Sequence, residues 1–266
     1  MIKIIILLFI FLISLYIIYK LCLKNTDLFY NYEEFTDKPK PKNKKKPKNN
    51  KLNKLINQNK DLHEKIVIIT GATGGIGYAL SRVLNNIGCK LILHGRSKKK
   101  VDNLVDELTK TNPHVIGVVA DLSKEEDVEK MIKTITNNYP NVHALINNAN
   151  SLTGHRELSS KEFKDWKKDI SVNIDSMFLL SNKLIKHMRN NGVKGRIINI
   201  SGYTSKTTST LINNGSNILS KTFIDKFSDI LAEENAEYNI AVTTIRIDET
   251  INSGAFKHFD KIPMYG

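Results

Sequence analysis

The clearest chemical signal in the chain is the run Thr70-Gly71-Ala72-Thr73-Gly74-Gly75-Ile76-Gly77. It follows an Ile/Val run directly and opens a segment with helical apolar spacing. A turn that cradles phosphate needs positions without Cβ where backbone approaches the anion and where the helix packs on its sheet. It also needs a helix N-terminus, whose unpaired N–H groups and positive dipole end face the ligand. Gly71, Thr73, Gly74, Gly75, Ile76 and Gly77 are therefore the candidate pyrophosphate-binding residues. A second apolar run at Leu91–Leu93 supplies the strand–turn–helix–strand context that a glycine cluster alone lacks.

The end of that second run bears on which dinucleotide is held. An acidic side chain there would hydrogen-bond the adenosine ribose and repel a 2′-phosphate. The sequence instead reads Leu93-His94-Gly95-Arg96-Ser97-Lys98-Lys99-Lys100. A guanidinium at Arg96 can pair with a phosphate through two donors, which predicts NADP(H) in preference to NAD(H).

The elements that must position these groups alternate from Asp61 onward. Short runs rich in Ile and Val occur at Ile66–Ile69, Leu91–Leu93, Val115–Val119, Val142–Ile146, Ile197–Ile200 and Ile240–Ile247. Most lack period-2 alternation, as strands covered on both faces should. Helical segments are expected near 75–87, 98–110, 124–138, 160–190 and 216–234. Two of them carry capping-box spacing, Ser123 with Glu126 and Ser159 with Glu162. Regular strand–helix alternation implies an α/β fold with a Rossmann-type, doubly wound parallel sheet of six strands.

The spacing Gly71-x-x-x-Gly75-x-Gly77, preceded by Thr70, resembles that of the short-chain dehydrogenase/reductases, and the resemblance runs along nearly all of 61–253. Asp121-Leu122 resembles the family's adenine-contacting pair. Asn147-Asn148-Ala149 resembles its Asn-Asn-Ala-Gly motif, with Asn150 in the glycine's place, and implies cofactor contacts at Asn148 and Ala149. Asn173, in Ser-Val-Asn-Ile, matches the family's helix asparagine, and Gly195 to Ser201 matches its fifth strand. The resemblance implies hydride transfer between a nicotinamide and a carbonyl or alcohol carbon. In the family a tyrosine exchanges the proton, a lysine four residues later tunes it and holds the nicotinamide ribose, a serine orients the substrate, and an asparagine supports a relay water.

This chain departs from that set. Lys221 and Asn173 are present, but the position four before Lys221 is Asn217, whose amide has no titratable proton. The serine role is open between Ser201 and Thr204, since Gly202 stands where strand alignment would place it. Asn173, Ser201 and Lys221 are thus the candidate catalytic residues, with Lys221 also a cofactor contact. Asp248-Glu249 replace the family's usual Pro-Gly, and a shortened C-terminal end of the sheet is expected. Two functions stay open: an oxidoreductase with a rearranged proton donor, for which Tyr203 is one candidate, or a catalytically inactive NADP-binding protein serving as a membrane-tethered sensor or scaffold.

Charge and hydropathy are unevenly spread. Residues 1–60 hold 13 of the chain's 40 basic residues, all lysine, against four acids, so much of the net charge of +13 lies there. Ile4 to Tyr19 is apolar apart from Ser14, and Leu21, Cys22 and Leu23 continue it, which suits a hydrocarbon core of ~30 Å. Residues 1–24 are expected to form a transmembrane signal-anchor, 25–60 a Lys/Pro/Asn-rich linker, and 61–266 the NAD(P)-binding domain. The lysines after the span predict a single-pass protein whose C-terminal domain faces the cytoplasm. The lysine run reads as a solvated linker or as a contact with anionic lipid. No aromatic residue interleaves 38–51, so specific nucleic-acid binding is not expected. Two unpaired cysteines give no disulfide framework and no structural zinc. Expected partners are membrane lipid and, for an active enzyme, a small carbonyl or alcohol; a homo-oligomer is left open.

Overall fold

The computed structural model describes residues 59–154, 156–202 and 213–247. Six strands form one parallel sheet: β1 (Ile66–Ile69), β2 (Lys90–Gly95), β3 (Val115–Val119), β4 (Val142–Asn147), β5 (Arg196–Gly202) and β6 (Ala241–Ile247). Their order is β3-β2-β1-β4-β5-β6. The chain winds outward from β1 to β3, returns to the middle at β4 and winds the other way. The crevice between the ends of β1 and β4 is therefore the topological switch point, where open sheets of this kind bind ligands.

The continuous apolar runs are explained by burial on both faces. Val67, Ile69, Leu91 and Leu93 face one core layer with Leu80, Val83, Leu84 and Ile87 of α1 (Gly75–Ile87) and Leu104 and Leu108 of α2 (Lys98–Leu108). Ile68, Ile92, Leu145 and Ile197 face the other, with Val128, Met131, Ile132 and Ile135 of α3 (Glu125–Asn138) and Leu180, Leu184 and Met188 of α5 (Ser176–Asn190). Burying each such side chain contributes roughly 1.5–3 kcal/mol. The edges differ: β3 is exposed at several positions, and β6 is half-buried except at exposed Arg246.

The helix expected over 160–190 is not one element. Leu158–Ser160 forms a 3-10 turn, α4 covers Phe163–Ile170, a π turn spans Ser171–Asp175, and α5 follows. Neither capping box forms. Ser123 gives its hydroxyl to Asp121 Oδ1 (2.7 Å), and α3 begins after Lys124. Ser159 lies inside the 3-10 turn, and the residue preceding α4 is Glu162, whose side chain caps nothing. In both cases a nearer partner or an intervening turn overrides the local spacing. Just before Asp61, Asn59 is buried and its carbonyl accepts the Leu62 N–H at 3.0 Å.

The apolar segment at 4–23, the linker lysines, Tyr203, Thr204 and Asp248-Glu249 lie outside the described residues. Among the described residues no helix is long and apolar enough to cross a membrane.

Candidate functional site

Gly71 to Gly77 form a tight turn between the end of β1 and the start of α1. Gly71 holds φ at +63°, a left-handed conformation that favours glycine, and a Cβ there would come within 2.9 Å of Ala149 Cα. A Cβ on Gly77 would strike the Gly71 carbonyl and lie 2.9 Å from Ala72 Cα. Gly74 is the opposite case, with open space around its Cβ position. It precedes α1 with extended backbone, and α1 has neither a side-chain cap nor an acid in its first turn. The unpaired N–H groups of that helix start, under an open glycine, match what a pyrophosphate requires. Thr73 and Ile76 sit on the same turn, and Thr73 packs against the end of β2, where a Cβ on Gly95 would meet it.

Polar contacts bind this turn to its neighbours. Thr70 Oγ1 accepts the N–H groups of Asn148 (2.9 Å) and Ala149 (3.0 Å), and donates to the Ile146 carbonyl (3.3 Å). Asn148 Nδ2 returns to the carbonyls of Thr70 (2.9 Å) and Gly71 (3.2 Å). Asn148 and Ala149 therefore meet the glycine turn across the switch point. His94, buried at the end of β2, accepts the Gly71 N–H at Nδ1 (3.3 Å). Its Nε2 lies 3.1 Å from the Ala120 carbonyl, so the neutral ring donates there. Burial lowers its pKa, which favours that neutral form.

Asp121 lies past the end of β3. Its Oδ1 accepts both the N–H (3.0 Å) and the hydroxyl (2.7 Å) of Ser123, which hold its pKa down. Leu122 beside it is buried in the core. Arg96 is exposed past β2 and makes no ion pair among the described residues, whereas Lys98 is paired with Asp102 at 2.7 Å.

The other side of the crevice is built from β5, the π turn and α6 (Gly215–Asn235). Lys221 is buried, and its ammonium donates to the Ile200 carbonyl at 3.1 Å. Burial lowers its pKa to about 8, with Asp225 acting the other way. Gly202 at the end of β5 leaves room beside it; a Cβ there would lie 3.8 Å from Lys221 Cε. Ser201 turns elsewhere, its hydroxyl buried and donating to the Lys221 carbonyl at 3.4 Å. It braces α6, and the structure does not bring that hydroxyl to the Lys221 ammonium. Asn217 stands one turn before Lys221, and its buried Oδ1 has no hydrogen-bond partner.

Asn173 is buried in the π turn. Its Oδ1 accepts the Ser151 N–H (2.6 Å) and its Nδ2 donates to the Ser151 carbonyl (2.8 Å), clamping the loop after β4. Such turns often mark functional positions in helices. Beneath the site, Asn147 Nδ2 donates to Asn199 Oδ1 (2.8 Å), and Asn199 Nδ2 to Ser228 Oγ (2.8 Å), linking β4, β5 and α6.

The comparisons decide the family. A profile described as short chain dehydrogenase matches residues 65–251. The chain belongs to the short-chain dehydrogenase/reductase family. An uncharacterized oxidoreductase of Staphylococcus aureus is 27% identical over 186 residues, covering 69% of this chain and 77% of the relative. The 2-dehydro-3-deoxy-D-gluconate 5-dehydrogenase of Formosa agariphila is 27% identical over 186 residues, covering 70% and 69%. A metagenomic short-chain oxidoreductase in complex with NADP superposes with a TM-score of 0.66 at 23% identity, covering 71% of this chain and 84% of that one. A 3-ketoacyl-(acyl-carrier-protein) reductase of Brucella melitensis complexed with NADH gives 0.64 at 25%, covering 73% and 78%. The profile shows the family, and the solved structures show the fold.

Family spacing points to the glycine turn, Asn148, Asn173 and Lys221. It includes Thr70 only as the residue before the glycines, and it passes over His94, which helps stitch that turn in place, and over Asp169, Lys161 and Ser216. A buried histidine at a strand end could have flagged His94. Nothing local marks Asp169, because its neighbours Lys167 and Lys168 give its helix the look of a solvated face.

Proposed function

We propose that this chain is an NADP(H)-dependent oxidoreductase acting between a carbonyl and the corresponding alcohol. The observation that carries the reading is the glycine turn, closed to any side chain at Gly71 and Gly77 yet open and uncapped at Gly74. Thr70, His94 and Asn148 fix that turn, so the pyrophosphate-binding surface is preorganised. A nicotinamide cofactor held there would supply the hydride. Exposed Arg96 favours the 2′-phosphorylated form, an inference supported by its two-donor geometry and by the absence of an acid at the end of β2.

The protein's own part is to hold the substrate oxygen and manage its proton. Asn217 can hydrogen-bond that oxygen but holds no proton to give. Lys221, one helical turn on and with a pKa near 8, is the titratable group that the described residues place at this end of β5. We assign it the proton: Nζ as ammonium delivers one to the oxygen during reduction, and solvent restores it. A general acid tuned near the working pH is an efficient one. Asn173 keeps the β4 loop in place beside it, and Ser201 braces the helix that carries Lys221.

A second reading has a specific observation behind it. The tyrosine position holds Asn217, so the same fold could bind NADP(H) without turnover and serve as a sensor or scaffold. We also read residues 1–24 as a membrane tether with the folded domain on the cytoplasmic side. Removing them should release the protein from the membrane fraction.

The deciding experiment titrates the full-length chain with NADPH and NADH by calorimetry, then follows NADPH consumption with a series of aldehydes and ketones. Saturable NADPH binding with turnover supports the oxidoreductase. Binding without turnover supports the second reading, and absence of binding removes both.

A further inference from the structure

Asp169 has no exposed side-chain surface and sits in α4, outside the residues that family spacing identifies. Its Oδ1 accepts the Ser151 hydroxyl (2.9 Å), the Thr153 N–H (2.9 Å) and the Thr153 hydroxyl (3.0 Å). Its Oδ2 accepts the Ser216 hydroxyl (2.7 Å) and pairs with Lys161 Nζ (2.8 Å). The Lys161 side chain is only 5% exposed, and its ammonium also donates to the Thr153 carbonyl at 2.7 Å. One carboxylate thus joins four segments: the loop after β4, the residue following the 3-10 turn, α4 itself and the first turn of α6.

A charge in such a place is costly unless each of its oxygens is satisfied. Burial raises the Asp169 pKa, but hydrogen bonds from Lys161, Ser216, Ser151 and Thr153 outweigh it and leave the carboxyl below its usual range. A buried ion pair is weak evidence for stability by itself, so its role is sought in the segments that it joins. Ser216 precedes Asn217, and Lys221 follows in the second turn of the same helix. α6 has no acid in its own first turn and no side-chain cap, so Asp169 brings negative charge to that helix start from another element. Four residues after Asp169, Asn173 grips Ser151 from the other side.

We propose that Asp169, charged and paired with Lys161, is a positioning residue that sets the first turn of α6 against the loop after β4. It thereby holds Asn217 and Lys221 in register with the loop that Asn173 clamps. It touches neither the glycine turn nor any group assigned to the proton, so it acts through the elements it joins. For turnover the inference rests on the oxidoreductase reading; for geometry it does not.

The test compares the full-length wild-type chain with Asp169→Asn, Lys161→Met and Ser216→Ala. Amide hydrogen exchange is followed in 149–154, 214–221 and the glycine turn 70–78. Asp169→Asn and Lys161→Met should speed exchange in 149–154 and 214–221 by about tenfold or more beyond any change in 70–78, because lost global stability reaches all three segments alike. Ser216→Ala cuts only one arm and should loosen 214–221 alone; being mild, it also serves if Asp169→Asn fails to fold. NADPH affinity should hold while kcat falls by about 10- to 100-fold, as for a small misplacement of reacting groups. Unchanged exchange at 214–221 in folded Asp169→Asn or Ser216→Ala would overturn the proposal. So would a rise of the same size in all three segments, which would mean a general loss of stability and no local tie. If the wild type turns over no carbonyl but the exchange pattern appears, the oxidoreductase reading fails and the positioning role stands.

Discussion

Between β1 and β4 the crevice is made largely of backbone, and between β5 and α6 it is made of side chains. On the first side Gly71 and Gly77 leave no room for a Cβ, and the Thr70 hydroxyl gathers two N–H groups across the switch point. On the second, Lys221 reaches the Ile200 carbonyl, Asn217 stands one turn before it, and buried Asp169 ties the helix start to the β4 loop. Backbone geometry of this tightness accepts few substitutions without losing the nucleotide. A side-chain site can exchange its chemistry while the scaffold stays intact. Such a division lets a chain keep its family's glycine turn while the side chains on the other side change.

The comparison breaks most sharply at Lys221. Lys221→Met should abolish most reductive turnover, by ~10²–10⁴-fold as for loss of a positioned acid, while leaving the glycine turn folded. Wild-type reduction should be level below pH 8 and fall above it as the ammonium is lost. Stability should move the opposite way. The folded pKa lies below the unfolded value of ~10.4, so from pH 8 to about 10 the unfolded chain binds more protons. Wild-type stability should therefore rise across that window relative to Lys221→Met, as denaturant titrations would show. A reductive profile that does not bend near pH 8 would take the proton away from Lys221.

Asp169→Asn should show the next largest effect. Removing one partner of a buried pair typically costs about 3–5 kcal/mol. The Asp169 carboxyl is depressed, so its contribution is complete above the ordinary carboxylate range and is lost as pH falls below it. Thermal melts should show the variant less stable near neutrality, with the gap closing below about pH 4. A constant gap down to low pH would mean that charge is not what the carboxylate contributes.

Much of this fold was legible in the sequence because its signals are local. Continuous Ile/Val runs mark strands buried on both faces, and the glycine spacing marks a turn that backbone geometry alone requires. The second side of the site was legible only in part. Lys221 and Asn173 come from the family resemblance, but Asp169 reads as one more charge on a polar helix until the fold closes over it. The capping boxes failed for a related reason. Ser123 has a nearer acceptor in Asp121, and Ser159 belongs to a turn of its own, which three-residue spacing cannot reveal. The π turn at Asn173 likewise depends on packing across elements.

Two glycines sharpen the backbone side of the comparison. Gly77→Ala forces a Cβ into the Gly71 carbonyl and Ala72, and overpacking of this kind costs about 1–3 kcal/mol. Part of that should appear as lower thermal stability and part as NADPH affinity reduced by about 10-fold or more. Gly74→Ala meets nothing within 4 Å, so it should melt like the wild type and yet bind NADPH more weakly. Equal NADPH affinity for Gly74→Ala and wild type would move the phosphate away from this turn.

Arg96 should give the smallest effect, because it is exposed and its charge is screened by water and salt. A single exposed contact to phosphate contributes on the order of 1 kcal/mol, so Arg96→Ala should weaken NADPH by about 5- to 10-fold and NADH hardly at all. The same selectivity should shrink in the wild type as salt is raised, since the guanidinium acts on the 2′-phosphate through an accessible site. Lys98 is already engaged by Asp102, so Lys98→Ala should leave the NADPH-to-NADH ratio nearly unchanged. If Arg96→Ala weakens both cofactors equally, Arg96 does not discriminate between them. The choice would then have to come from elsewhere on the backbone-built side, with Thr73 beside the end of β2 the first place to look.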